Sequence, residues 1–415
     1  MRRVFALILV LAVLSGCGAA DAVPQPSLTP APTAQPTPEP TPSPTPEPTP
    51  VPAARRLTLG YESGYEDLSP LSDESDEAAV RLWAGQTVTV RSADGPMEQL
   101  YIKWDAVPGL WTLNINGTDY TFGEKGFQHE YVRLPEPCEE FTLTLQSGWV
   151  YVCCICAFAE GELPDWVQVW EEPDSQCDLM VVSTHNDDDV LFFGGLAPTY
   201  AAERDMEVQV VYLTHHQAER RRPHETLNGL WTMGIRRYPI IGGFYDTASD
   251  GGWADSGLYD RWYVKRYFVE MIRRFKPQVI VTQDEKGEYG HPVHVLSVAC
   301  LQESVLLAAD ETEYPESAEV YGVWDTPKTY LHLYGAPETR TVMDWDVPLE
   351  AFDGMTAFEV AEAAYACHIS QHPDRSLYVY PRDHRFTSYE FGLWRSLVGE
   401  DREKNELFEH LEGWE

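Results

Sequence analysis

Two short stretches of the chain hold residue types that can bind a cation and move a proton. The first, Thr184-His185-Asn186-Asp187-Asp188-Asp189, directly follows the apolar run Leu179-Met180-Val181-Val182. The second, Gly290-His291-Pro292-Val293-His294, begins seven residues beyond Gln283, where another apolar run ends. Three consecutive aspartates repel one another, and alone they read as a solvated acidic turn. Paired with His185 and with His291 and His294, both at strand ends, they read as a metal site. One imidazole and one carboxylate from the first loop, with one imidazole from the second, make three ligands. A fourth position stays open for water, which separates catalytic zinc from closed structural zinc. A bound metal lowers the pKa of its water towards ~7, and a nearby carboxylate takes the proton. His/Asp donor sets also accept other divalent ions.

The loops can meet only if the strands before them lie side by side. Residues 178–184 form a continuous apolar strand, as in a sheet covered on both faces. A helix is predicted near Leu191–Glu203, a strand at Val208–Thr214, and helices near Glu225–Met233 and Arg261–Phe275. Gln278–Thr282 is again a buried strand, and a helix begins near His291. This alternation predicts a doubly wound parallel α/β sheet over 177–415. Ligands of such sheets collect beyond the carboxyl ends of the strands, where both loops fall.

Ahead of it, residues 55–172 read as an all-β, sandwich-like domain. Trp111, Leu113 and Ile115 alternate with Thr112 and Asn114, Phe141, Leu143 and Leu145 with Thr142 and Thr144, and Val88 and Val90 follow the same rule. Asn116-Gly117 marks a tight hairpin. Cys153, Cys154 and Cys156 sit in the apolar run 150–158, where cysteine packs as a small hydrophobe. With Cys138, Cys177, Cys300 and Cys367 they make an odd number, which defines no disulfide framework.

The N-terminus reads as an address. Met1-Arg2-Arg3 precedes an 11-residue apolar stretch, Val4 to Leu14, too short to span a bilayer of ~30 Å. Leu14-Ser15-Gly16-Cys17 resembles a bacterial lipobox, so residues 1–17 are expected to direct export and Cys17 to carry lipid. Residues 18–54 follow as a disordered tether: 13 of the 31 prolines lie between Pro24 and Pro52, interleaved with Thr, Ser and Glu. The expected location is the extracytoplasmic face of the cell membrane. Against 66 Asp+Glu the chain has 30 Lys+Arg, a net charge of −36, which excludes nucleic acid as a partner.

The two strand-end motifs resemble those of the PIG-L/LmbE-like zinc de-N-acetylases. That family's Ala-His-Pro-Asp-Asp-Glu stands here as residues 184–189, and its His-Pro-Asp-His as 291–294. Phe193-Gly194-Gly195, Arg222-Pro223-His224-Glu225 and His368-Ile369-Ser370-Gln371 are similar in kind and order, so the resemblance covers roughly 177–400. It implies a Rossmann-like fold, with His185, Asp188 and His294 binding zinc and Asp187 acting as general base. It further implies that His291, protonated, stabilises the oxyanion and that Arg222 faces substrate. The implied substrate is an N-acetylated sugar or glycoconjugate of the N-acetylglucosamine type. Three positions depart from the pattern: Asn186 for proline, Asp189 for glutamate, and Val293 for the aspartate between the histidines. Every directly chemical position is kept, which favours an active enzyme. The competing reading is a glycan-binding surface lipoprotein whose metal site is impaired, motivated by Val293 and the β domain.

Other residues are less specific. His215-His216 ends the second strand and could line the pocket or cap the strand. Arg220 and Arg221 read as a solvated helix start. Gly194-Gly195 reads as a close helix–strand approach. No G-x-S-x-G, Walker loop, G-x-G-x-x-G or H-E-x-x-H occurs, so serine-hydrolase, nucleotide and zincin chemistries lack their hallmarks.

Overall fold

The computed structural model describes residues 51–64, 67–72, 76–216, 219–246, 259–374 and 376–411. Cys17, the signal segment and nearly all of the tether lie outside the described residues. Among the described residues no helix is long and apolar enough to cross a membrane.

The described β-rich part contains β1 (Leu59–Glu62), β2 (Val80–Trp83), β3 (Thr87–Ser92), β4 (Met97–Trp104) and β5 (Trp111–Ile115). It continues with β6 (Thr118–Phe122), β7 (His129–Cys138), β8 (Glu140–Leu145) and β9 (Trp149–Phe158). Two antiparallel sheets result, ordered β1-β3-β8-β5-β6 and β2-β9-β4-β7. The alternating residues do what their period demands. Val88, Val90, Leu113, Leu143 and Leu145 point into one core with Leu100, Ile102 and Trp104 of the facing sheet. Each such side chain, fully buried, contributes roughly 1.5–3 kcal/mol. Asn116 and Gly117 both have positive φ, 52° and 85°, as a two-residue hairpin turn requires.

Strand β9 explains its own apolar run. Val150, Val152, Ile155 and Ala157 face the sandwich core. Cys154, Cys156 and Phe158 pack with Tyr101 and Val167 on the other side. The strand is buried on both faces, so it has no polar alternation.

The second part contains β10 (Leu179–Ser183), α1 (Asp188–Phe193), β11 (Val208–His215), α2 (Arg221–Thr232) and β12 (Ile240–Tyr245). Then come α3 (Arg261–Phe275), β13 (Val279–Thr282), α4 (Pro292–Leu307), α5 (Pro315–Tyr321) and β14 (Lys328–His332). β15 (Thr341–Val342), α6 (Ala357–Tyr365) and β16 (Glu390–Ser396) complete it. The strands form one sheet, ordered β12-β11-β10-β13-β14-β16-β15. The first five are parallel, whereas β16 runs antiparallel to β14 and β15. The sheet is therefore mixed rather than wholly parallel. Strand β16 carries Glu390 and Arg395 among its apolar residues, a composition that suits a sheet margin.

Both faces of the sheet are covered. Leu179 and Val181 of β10 pack into a core shared with α1, α2 and α6, while Met180 and Val182 face one shared with α3 and α4. Helix α3 spans the expected residues because Asp260 caps it, accepting the Trp262 N–H at 2.8 Å, and Lys276 ends it in the left-handed region at φ 45°. The helix expected over 191–203 is broken instead. α1 stops at Phe193, and a separate wider turn covers Pro198–Glu203. Gly195 lies so close to Trp345 that a Cβ there would stand 2.0 Å from the indole.

Residues 51–415 make up one compact unit. Phe127 and Trp170 of the β-rich part belong to the same core as Leu179 and Val181. Phe127 stacks on Tyr238 with ring centroids 4.6 Å apart, and the Gln128 N–H donates to the Tyr238 hydroxyl oxygen at 3.0 Å.

Candidate metal centre and its surroundings

Both motifs sit at the carboxyl edge of adjacent parallel strands, β10 and β13. The first loop is fastened at its root: Thr184 N–H donates to Gln283 Oε1 at 3.0 Å, and its carbonyl accepts Thr214 N–H at 3.0 Å. The loop then turns into α1, so that Asp188 folds back to accept the His185 N–H at 2.8 Å. His291 caps α4, with Pro292 at its first turn, and His294 follows one turn along.

Three donor atoms converge. His185 Nδ1 lies 3.0 Å from Asp188 Oδ2 and 3.0 Å from His294 Nε2, and the last two are 3.2 Å apart. A tetrahedral ion with bonds of 2.0–2.1 Å needs donors about 3.3 Å from one another, so the set fits such an ion within a few tenths of an ångström. The remaining nitrogen of His294, Nδ1, is 2.7 Å from Glu288 Oε2. That contact fixes the tautomer and turns the Nε2 lone pair towards the triangle. Glu288 is fully buried and is shared with His332 Nδ1 at 3.1 Å. On the other side His185 Nε2 faces Asp246 Oδ1 at 3.5 Å. A wider triad, His185, His291 and His294, also offers one nitrogen each, all within 4.8 Å of one another. The tighter set has the better spacing and brings a carboxylate's charge to the cation.

The electrostatics favour positive charge at this point. Burial works against protonating His185, but Asp188 and then Asp246 outweigh it and push the imidazole up to about 9. His294 is likewise opposed by burial and carried up to about 10 by Asp188 and Glu288. Asp188, despite burial, is held well below the usual carboxylate range by the two histidines. Asp187 behaves differently. Burial raises it, and the Arg222 guanidinium, 3.4 Å from its Oδ2, only partly offsets that. Burial also pushes Asp189 up to about 8.

Arg222 is thus buried against Asp187 and also donates to Asn186 Oδ1 at 3.1 Å. Asn186 in turn donates to the Thr226 hydroxyl and to the Arg222 carbonyl. Asn186, where the motif has proline, ties the loop after β10 to α2. His291 is half-buried, its ring 4.8 Å from that of His185 and 4.5 Å from that of His294. Burial first, then these two histidines, push it down to about 4, so its neutral form prevails at neutral pH. A neutral imidazole still offers one N–H.

The structure also joins two motifs whose connection the sequence does not state. Glu225 accepts the Ser370 N–H at 2.7 Å and its hydroxyl at 2.5 Å. Three further residues at the site escaped sequence reasoning: Glu288, Asp246 and His332. Glu288 lies within the gap between β13 and His291, six residues before His294, and a search for a carboxylate partner of that histidine would have found it. Asp246 follows β12, and His332 ends β14; neither strand was recognised. Val293, where the motif has aspartate, is fully buried in the apolar core on the α3 and α4 side.

Comparison with known proteins gives three relevant similarities. The chain is 30% identical over 178 residues to a 1D-myo-inositol 2-acetamido-2-deoxy-alpha-D-glucopyranoside deacetylase 1 of Catenulispora acidiphila, covering 37% of this chain and 54% of that one. A protein of the same name from Frankia casuarinae is 27% identical over 185 residues, covering 37% and 57%. The chain spans about half the length of these curated relatives. Among solved structures, the N,N'-diacetylchitobiose deacetylase of Pyrococcus horikoshii is similar with a TM-score of 0.37 and 18% identity, covering 49% of this chain and 73% of that one. Residues 180–303, which hold His185, Asp187, Asp188, Arg222, His291 and His294, match the family model described as PIG-L: GlcNAc-PI de-N-acetylase.

Proposed function

We propose that the protein is a metal-dependent deacetylase that hydrolyses the N-acetyl group of an N-acetylglucosamine-type sugar or glycoconjugate. The observation that carries this reading is the triangle of His185 Nδ1, Asp188 Oδ2 and His294 Nε2, with the buried Asp187 beside it. The family match over 180–303 and the named activities of the relatives support it. His185, Asp188 and His294 are assigned as ligands of Zn2+ or another divalent ion. Bound there, such an ion supplies a Lewis acid for the acetamide carbonyl and lowers the pKa of a coordinated water towards ~7. Asp187 is the general base, accepting the water's proton at a carboxylate oxygen that Arg222 orients. His291 donates an N–H to the carbonyl oxygen as negative charge builds there. The C–N bond then breaks. The amine nitrogen takes the proton held by Asp187, and the acetyl group leaves with the water's oxygen as acetic acid, which releases its remaining proton to solvent to give acetate.

The reading of an impaired, merely glycan-binding site drew on Val293. Glu288 backs His294, the proposed ligand, with a carboxylate, which favours a competent metal site; Val293 bears instead on His291, whose Nδ1 has no hydrogen-bond partner among the described residues. We also propose that the protein is exported and held on the extracytoplasmic face of the membrane by lipid on Cys17, with 18–54 as tether. Full-length protein loaded with zinc should hold about one ion per chain and release acetate from chitooligosaccharides, and a chelator should abolish both until zinc is restored. Metal-replete protein that releases no acetate from any N-acetylated sugar would refute the reaction. Cys17→Ala protein that still partitions into detergent would refute the anchor.

A further inference from the structure

Glu288 stands behind His294, and His332 stands behind Glu288. The Glu288 side chain is wholly buried, and its two oxygens meet three nitrogens. His294 Nδ1 lies 2.7 Å from Oε2, while the Asp284 N–H donates to Oε1 at 2.8 Å and His332 Nδ1 lies 3.1 Å from it. His332 is fully buried at the end of β14, and its Nε2 meets the Thr387 carbonyl at 2.8 Å.

The partners of His332 fix its protons. A carbonyl oxygen only accepts, so Nε2 carries a hydrogen. Were that the ring's single hydrogen, the Nδ1 lone pair would face a buried carboxylate oxygen at 3.1 Å, acceptor against acceptor. A second proton therefore sits between Nδ1 and Oε1. It belongs to the ring, because Glu288 accepts N–H bonds on both oxygens and such bonds favour the charged carboxylate. Burial opposes that charge, yet His294 and His332 outweigh it and hold Glu288 below its ordinary value. Asp284 is a second carboxylate near the ring. Phe192, Phe193 and Phe391 enclose the imidazole at 5.4, 5.9 and 6.0 Å between centroids, and aromatic π faces attract cations.

We infer that His332 is a positioning residue of the metal centre: a buried imidazolium that locks the Glu288 carboxylate and through it aims His294 Nε2 at the cation. The inference rests on the reading of His294 as a ligand. It also explains how Glu288 stays ionised in full burial, since a lone buried charge is costly and a paired, hydrogen-bonded one is tolerated.

The test is a double-mutant cycle on zinc affinity, read by competition with a chromophoric chelator in the full-length protein. His332→Gln keeps a donor near the place of Nε2 for Thr387 but offers none to Glu288. His332→Asn does the reverse, with a donor near the place of Nδ1. His332→Gln should weaken zinc binding about tenfold or more, as other outer partners of ligating histidines do, and His332→Asn should restore most of that loss. In a Glu288→Gln background His332→Gln should add little, because it acts through that carboxylate. Equal losses in the two His332 variants, or a full loss added to that of Glu288→Gln, would show that His332 only packs and would overturn the inference.

The parent gives a second reading that does not depend on how any variant folds. With isotopically labelled histidine, bound zinc and pH about 8, above the ordinary histidine value of ~6.5, nuclear magnetic resonance should show one imidazole with protons on both ring nitrogens. Histidines that all carry a single ring proton would overturn the inference. A parent that binds zinc and passes both tests but releases no acetate would sink the reaction and leave His332 in its role. A parent that binds no zinc would overturn both.

Discussion

The protein buries two histidine clusters whose surroundings push their proton affinities in opposite directions. At the strand ends, His185 and His294 stand against Asp188, Glu288 and Asp246, and both are pushed up, to about 9 and about 10. Where the β-rich part meets α2, His129 Nε2 and His224 Nδ1 are 2.7 Å apart, with Gln168, Tyr101 and Cys153 around them. Asp76 stands 3.9 Å from His224. Burial pushes His224 down to about 4 and His129 well below its usual range. Equal burial yields opposite outcomes because buried imidazoles lose charge unless carboxylates offset the lost hydration. The first cluster is suited to a cation and the second to neutral packing.

The largest effect should come from removing the carboxylate that belongs to the triangle. Asp188→Ala should strip the metal and abolish turnover together, as read by metal analysis and acetate release. Asp187→Asn should keep most of its metal and still lose about 10²–10⁴ in rate, the usual contribution of a general base. A metal-free Asp187→Asn protein would mean that the two aspartates have been assigned the wrong way round. Glu288→Gln keeps the shape but removes the charge behind His294; metal affinity should fall about 10–100-fold, as for other partners of ligating histidines. Unchanged affinity would show that Glu288 only packs.

The smallest effect is one of stability against pH, and its sign differs between the clusters. His224, held at about 4 against an ordinary value of 6.5, takes up a proton more readily when unfolded. Stability is therefore full above about 6.5 and falls as pH drops towards 4. In chelator-treated protein the strand-end pair should do the reverse. His185 and His294 bind protons more tightly when folded, so their contribution is lost as pH rises through 9 to 10. Melting temperatures across this range, with His224→Phe as the control for the acid limb, should show both slopes. If the acid limb survives in that variant, some other group sets it.

Much of the frame was legible because its signals are local. The alternation at 111–115 and 141–145, the Asn116-Gly117 turn and the apolar run of β10 each act over a few residues. The failures were also physical. The expected helix over 191–203 breaks at Gly194-Gly195, where the backbone of Gly195 packs too closely against Trp345, 150 residues away, for any side chain to fit. Strands β14 and β16 meet only through long connections, so nothing local marked their antiparallel pairing.

The sequence by itself determined the donor types, their order along the chain and the strand ends that present them, because residue identity and periodicity are local properties. It did not determine which atoms meet. Glu288 behind His294, Asp246 behind His185, Arg222 on Asp187 and His332 on Glu288 are contacts between distant segments. Their energies depend on burial and on distances of about 3 Å, where an ion pair gains or loses its charge according to what surrounds it. Only packing sets those distances, so only the tertiary structure could decide that one buried histidine pair is suited to a cation and the other stays neutral.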